Sequence, residues 1–221
     1  DVFKHDNYVM PRFDFLAGRH YNRVTVQPSR GCPINCEFCA ASLRITSSFQ
    51  QKPVPLVIEE LRQATQAHES PFVEFADDNT FVNKKWGKEL MRQMIPLNLR
   101  WFTETDISVG DDQELIDLMA EAGCKQILIG LESPSQGGLM EIDPHNWKAK
   151  RYDKYLDAIE RIQAAGITVN GTFVLGLDSH DASVFEELDD FIRVSNLLEV
   201  QLTVQTPFPG TPLYHRLKHN G

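Results

Sequence analysis

Long hydrophobic runs are missing from this sequence. No apolar stretch approaches the roughly 18 residues that would suggest a membrane-spanning helix. Positive charge is in deficit, with 22 Lys and Arg against 31 Asp and Glu, a net charge of −9 and a pI near 5.2. That balance argues against a nucleic-acid surface, which shows as a basic patch or stripe. Low-complexity tracts and short internal repeats are absent too. The chain starts Asp1-Val2-Phe3-Lys4, with neither an initiator Met nor a signal peptide. It reads as an excised segment of a longer, cytoplasmic protein. Cysteine is scarce, four in 221 residues, and three of the four crowd into one loop. Both facts exclude a disulfide framework.

What is present suffices for one substantial core. Hydrophobic residues make up 42% of 221, too little for two comfortable domains. The stretch that organises the chain is Gly31-Cys32-Pro33-Ile34-Asn35-Cys36-Glu37-Phe38-Cys39, directly after the extended run Tyr21 to Gln27. Its spacing is C-x3-C-x2-C. Soft thiolate ligands suit zinc and iron–sulfur iron. A structural zinc site normally closes with four protein ligands, and the remaining cysteine, Cys124, lies far downstream. Three cysteines on a four-iron cluster instead leave one iron open to a small molecule.

With the aromatic Phe38 before its last cysteine, this motif resembles the signature of radical S-adenosylmethionine (radical SAM) enzymes rather than a zinc-finger-like or ferredoxin-like site. The resemblance implies a [4Fe-4S] cluster on Cys32, Cys36 and Cys39, whose open iron chelates the amino and carboxylate groups of SAM. It also implies cleavage of SAM to methionine and a 5′-deoxyadenosyl radical. The acidic balance weighs against the tRNA-modifying branches of that superfamily.

Read in order, residues 1–21 carry Pro11, Gly18 and scattered aromatics without a period and read as a connector. From Arg23, extended apolar runs alternate with helical patterns, the signature of βα units on a parallel sheet. The expected strands are Val24 to Gln27, Phe72 to Phe75, Arg100 to Asp106, Gln126 to Leu131, Thr168 to Leu175 and Val200 to Gln205. The expected helices open at Pro55, after Asn83, at a capping box of Asp111 with Glu114, over Tyr152, Leu156, Ile159 and Gln163, over Val184, Leu188 and Phe191, and at Thr211-Pro212. A closed eight-unit barrel typically needs ~250 residues. The fold class expected is therefore α/β, a partial (β/α)6 TIM barrel with parallel strands over residues 22–221, its last helix cut short. The radical SAM core is such a barrel.

In β/α barrels the active site lies at the C-terminal ends of the strands. The cysteine loop, Asp77-Asp78-Asn79, Glu104 with Asp106, Glu132-Ser133, Asp178 and Gln205-Thr206-Pro207 all fall there, and Trp147 is expected to join Glu104 and Asp106 at the mouth. The resemblance assigns further roles. Phe38 would pack near the adenine of SAM. After the second strand the family often has Gly-Gly-Glu, holding the methionine amino group, where this chain has Ala76-Asp77-Asp78. Glu132 and Ser133 sit where relatives contact ribose and amino acid. The family pattern G-x-I-x-G-x-x-E matches only at Val174 and Gly176, and Gln205 to Pro207 would lie near the adenine. Cys124 reads as a small core hydrophobe at the opposite barrel end.

The wider stretches Phe75 to Phe81, Gly130 to Ser133 and Thr206 to Tyr214 resemble the cobalamin-binding-domain subgroup of radical SAM proteins. There an upstream Rossmann-like domain holds cobalamin, and reactions include methylation of unactivated carbon and ring closure. Cobalamin would thus come through a domain absent from this chain. The D-x-H-like run Asp178-Ser179-His180 lacks the glycine of the cobalamin motif and is not one. The implied partners are a small or lipid-like organic substrate and an electron donor such as flavodoxin or ferredoxin, with no nucleic acid. A non-catalytic iron–sulfur or zinc module is the alternative, and it would not need the polar groups gathered at the strand ends.

Overall fold

A computed structural model describes residues 8–18, 21–41, 49–66 and 72–220. Among the described residues, six parallel strands form one sheet in the order β1 (Val24–Val26), β4 (Phe72–Phe75), β5 (Arg100–Thr105), β6 (Cys124–Glu132), β7 (Thr168–Leu175), β8 (Glu199–Val204). Each strand pairs with the next in sequence, and the two edges do not pair with each other. The intervening helices are α1 (Val54–Gln66), α2 (Lys84–Met94), α3 (Gln113–Glu121), α4 (Tyr155–Ala164), α5 (Val184–Ser195) and α6 (Pro212–Asn220). This is the expected open, six-unit barrel. The first unit also carries a short antiparallel ribbon, β2 (Ser29–Arg30) on β3 (Gln50–Gln51), which brackets the cysteine loop.

Period-two alternation within the strands divides core from lumen. On β6, Ile127, Ile129 and Leu131 are fully buried among the helices, while Leu128, Gly130 and Glu132 line a cavity at the strand's far end. The helices answer with 3.6-residue stripes: Val57, Leu61 and Ala64 on α1, Val184, Leu188 and Phe191 on α5. Asn83 caps α2 by accepting from Trp86 N, and Thr211 Oγ1 accepts from Tyr214 N at α6. Two expectations need correction. The cap of α3 is Asp112, which accepts from Leu115 N, because Asp111 closes a preceding 3-10 turn. Helix α4 begins at Tyr155 and buries Tyr155, Ala158, Ile159 and Ile162, so Leu156 faces solvent and Tyr152 belongs to the 3-10 turn before it.

Of the expected connector, Phe13 and Tyr8 dock on the body. Phe13 enters the core, and the Tyr8 hydroxyl bonds Glu60. Lys52 Nζ donates to Glu60 at 2.7 Å and to Tyr8 at 3.0 Å, with Lys52 and Glu60 both buried. Replacing Lys52 by Met strands a buried carboxylate, so Lys52→Met is expected to cost about 3–5 kcal/mol of unfolding free energy. The double variant Lys52→Met/Glu60→Leu should recover most of it. Urea titration checks this; a single variant within about 1 kcal/mol of wild type contradicts it.

Asp77 braces the ribbon to β4. Its carboxylate accepts from Ser29 N at 2.8 Å, Ser29 Oγ at 2.9 Å and Thr80 Oγ1 at 2.8 Å. Burial outweighs these donors and pushes its pKa up to about 7. A carboxyl raised on folding is bound by a proton in the native state that the unfolded chain has already released. Its contribution to stability is complete below about pH 4 and fades as pH rises through about 7. The stability of wild type relative to Asp77→Asn should therefore fall across that window. Parallel stability–pH curves for the two proteins would refute the assignment.

Candidate active site

The cysteine loop lies across the C-terminal ends of the strands, tied by its backbone to distant units. Gly31 N donates to Asp78 Oδ2 at 2.8 Å, just beyond β4. Glu37 N donates to Ile142 O at 2.8 Å, beyond β6, and Glu37 O accepts from Leu213 N of α6 at 3.1 Å. The loop so held presents Cys32, Cys36 and Cys39 with Phe38 to a cavity of about 210 Å³. Asp78, Asn79, Glu104, Asp106, Glu132 and Lys148 supply much of the polar part of its wall.

The deep wall is built by an irregularity. The β6–β7 register shifts between Gly130 and Glu132, and Glu132 takes a φ of 67°, in the left-handed region that non-glycine residues rarely occupy. A bulge of this kind re-aims a side chain. Glu132 Oε1 accepts from Lys148 Nζ at 2.9 Å, and both side chains are buried. Lys148 also donates to Gly130 O. A Cβ on residue 130 would stand 2.3 Å from Glu132 Oε1 and 3.1 Å from Lys148 Nζ, so any larger residue would displace the pair from this arrangement. Lys148 reaches this place from the long loop after β6, where Asp143 accepts from the backbone N–H of His145, Trp147 and Lys148. Burial opposes the Lys148 charge, but Glu132 and Cys36 outweigh it and raise its pKa.

The opposite wall is acidic and cross-linked. Asn79 Nδ2 donates to Asp106 Oδ2 at 2.7 Å and lies 3.8 Å from Cys32 Sγ, while its Oδ1 accepts from Thr105 Oγ1 at 3.2 Å. Burial, with Asp78 and Glu74 nearby, raises the Glu104 pKa.

Do these residues suit an iron–sulfur cluster? Burial pushes the Cys36 thiol up to about 12 against the pull of Lys148, and it raises Cys32 as well. Thiols in this setting ionise when metal takes the proton's place. Among the described residues no three His, Cys, Asp or Glu side chains gather to hold a single metal ion. A cluster takes each thiolate at a different iron and needs no common point. Three cysteines around one cavity, without a fourth, fit a four-iron cluster with one open iron better than a closed zinc site.

The expected site residues divide. Phe38, Asp78 and Glu132 join the three cysteines at the cavity. Asp77 does not: it is turned into the brace on Ser29 and Thr80, and Ala76 beside it is exposed. Ser133 Oγ contacts His180 Nε2 at 3.1 Å. Val174 shares the lumen face of β7 with Thr172, but only Thr172 lines the cavity. Gln205 lines a second cavity of about 280 Å³ with Glu37, Leu177, Asp178 and Arg216. Gly176 and Pro207 line neither, and Pro207 is exposed. Trp147 stacks on Arg151 at 4.0 Å instead of facing the mouth. Cys124 is buried at the start of β6 with its Sγ near Gln126 O. Lys148 was not anticipated: it sits in an aperiodic loop, and only its pairing with Glu132 marks it.

The chain matches the family model described as the Radical SAM superfamily over residues 26–192. It is 26% identical over 215 residues to the bacteriochlorophyllide d C-12(1)-methyltransferase of Chlorobaculum tepidum, covering 94% of this chain and 46% of that protein. It is 27% identical over 225 residues to the hopanoid C-2 methylase of Rhodopseudomonas palustris, covering 97% and 41%. In fold it matches the radical S-adenosylmethionine methyltransferase TsrM of Kitasatospora setae, solved with cobalamin and a [4Fe-4S] cluster bound, with a TM-score of 0.80 at 15% identity over 90% of this chain and 39% of that one. The chain thus spans less than half the length of these curated relatives. The family model covers most of the chain, including the cysteine loop and the four central strands β4 to β7 of the parallel sheet, and the chain belongs to the radical SAM superfamily.

Proposed function

We infer that this chain is the catalytic core of a radical SAM enzyme, with a [4Fe-4S] cluster on Cys32, Cys36 and Cys39. One observation carries the reading: three cysteines share a cavity with a buried Glu132–Lys148 pair at the C-terminal ends of a parallel sheet. An electron carrier needs the thiols but not that wall. When bound and reduced, the cluster supplies the electron that cleaves SAM to methionine and a 5′-deoxyadenosyl radical.

The chain's own residues bind and orient. SAM's methionine end carries an ammonium and a carboxylate, and the cavity offers both complements. Asp78, with Glu104 beside it, suits the ammonium, while Lys148 suits the carboxylate with Glu132 fixing its position. Asp78 takes the role that the family's Gly-Gly-Glu suggests, since Asp77 is committed to the brace. The second cavity, with Gln205 and Leu177, suits the neutral adenosine end. The named activities of the relatives, methylations of a bacteriochlorophyllide and a hopanoid, support radical methyl transfer to a lipid-like organic substrate. Cobalamin would enter from a domain outside this chain, and a flavodoxin or ferredoxin would deliver the electron. No helix among the described residues is long and apolar enough to cross a membrane.

Replacing Cys32, Cys36 or Cys39 by Ala should abolish iron uptake on anaerobic reconstitution, measured as bound iron and the band near 400 nm. Cys124→Ala should leave both unchanged; equal iron loss there would sink the ligand assignment.

Asp78→Asn and Glu132→Gln should keep the cluster yet each weaken SAM binding about ten- to a hundredfold, the scale of a charge-assisted hydrogen bond. Calorimetry reads this directly. Wild-type affinity in both variants would mean that other groups hold the methionine end.

A further inference from the structure

Glu37 stands inside the cysteine motif, between Cys36 and Phe38, yet it is no ligand candidate. Its polar groups are nonetheless all engaged. The N–H donates to Ile142 O and the carbonyl accepts from Leu213 N. The carboxylate accepts twice from Arg216 of α6, from Nη2 at 2.6 Å and Nε at 3.1 Å, across 179 residues of sequence. Arg216 Nη1 then donates to Asp178 Oδ2 at 2.6 Å, in the loop after β7. One guanidinium therefore joins the cysteine loop, the last helix and the β7 loop.

The place of this clasp matters more than its strength. Glu37 faces the second cavity, while its neighbours Cys36 and Phe38 face the first. The 36–38 segment therefore contributes to the walls of both cavities, and Arg216 fixes that segment through Glu37. Partly exposed ion pairs contribute little to global stability, and the Arg216 side chain is 36% exposed. A bidentate guanidinium–carboxylate pair, however, adds geometric definition that a lone ammonium cannot.

The geometry points to Arg216 as a positioning residue: through Glu37 and Asp178 it holds the cysteine loop between the two cavities and so sets how tightly a ligand bridging them is bound. This rests on the reading of the cavities as one SAM site. Arg216 touches neither the thiols nor the first cavity; it lines the second, and it acts on the cysteine loop through Glu37.

The test uses Arg216→Ala, Arg216→Lys, Glu37→Gln and the double variant Arg216→Ala/Glu37→Gln in the full chain. Without iron, hydrogen exchange of the amides of residues 36–39 should quicken in Arg216→Ala and Glu37→Gln and recover in part in Arg216→Lys. After reconstitution, bound iron should equal wild type in all four. SAM affinity by calorimetry should drop about three- to tenfold in Arg216→Ala and in Glu37→Gln, less than a direct charged hydrogen bond to the ligand because the pair is partly exposed and acts indirectly. The double variant should be no weaker than Arg216→Ala, since that variant already breaks the Glu37 contact along with the one to Asp178. Wild-type exchange and affinity in Arg216→Ala would overturn the proposal, as would losses that multiply in the double variant. Should Arg216→Ala fail to fold, the isosteric Glu37→Gln carries the same test. Should wild type bind cluster but no SAM, the functional reading falls, while the exchange data still decide whether the clasp holds the loop.

Discussion

Burying the Lys148 ammonium and the Glu132 carboxylate together beside Cys36 requires that each be matched almost completely. Taking either charge out of water alone is prohibitive, and the pair repays its desolvation only in good geometry with further hydrogen bonds. Those conditions shape the surroundings. Gly130 leaves room for the pair and offers its carbonyl to Lys148. The bulge turns Glu132 toward the lumen. Asp143, by taking three backbone N–H groups, curls the loop that delivers Lys148. A fixed positive charge beside the cysteines is the product of all three.

The cysteine loop has little internal structure, so its shape comes from what it is tied to. Asp78 holds Gly31 at one end, and Ile142, Leu213 and Arg216 hold Glu37 near the other. Asp77 secures the preceding ribbon through Ser29. These anchors sit after β4, after β6 and on α6, so the loop's geometry depends on three separate βα units being assembled. A ligand set on a loop gains precision from rigid elements in this way.

The fold was legible because its units repeat one pattern, apolar strand then amphipathic helix, and each strand end announced polar residues. The three cysteines were legible because their spacing is local. What failed to show was phase and reach. Asp77 and Asp78 are chemically equal in sequence, and adjacent side chains diverge. Ser29, brought across by the ribbon, decides that Asp77 faces the brace and Asp78 the cavity. Helix α4 follows a 3-10 turn, so its stripe starts at Tyr155 and the pattern through Tyr152 and Leu156 misses it. Lys148 depends on a loop whose fold is written in side-chain-to-backbone bonds from Asp143, and these leave no periodic trace. Phe13 was hidden likewise in a stretch without a period.

Strand β6 shows how a regular scaffold carries an irregular site. A residue in a sparsely populated backbone region costs on the order of 1–3 kcal/mol, and Glu132 adds the lost pairing of a register shift. Earlier on the same strand, Ile127 and Ile129 are fully buried. Each such side chain contributes roughly 1.5–3 kcal/mol relative to exposure. Leu131, also fully buried, pins the residue just before the kink. The strain is therefore smaller than the anchorage beside it, and the strand end cannot relax by pulling out of register. That imbalance keeps Glu132 aimed at Lys148 when the cavity is empty, so a ligand meets a wall already formed and need not order it on binding.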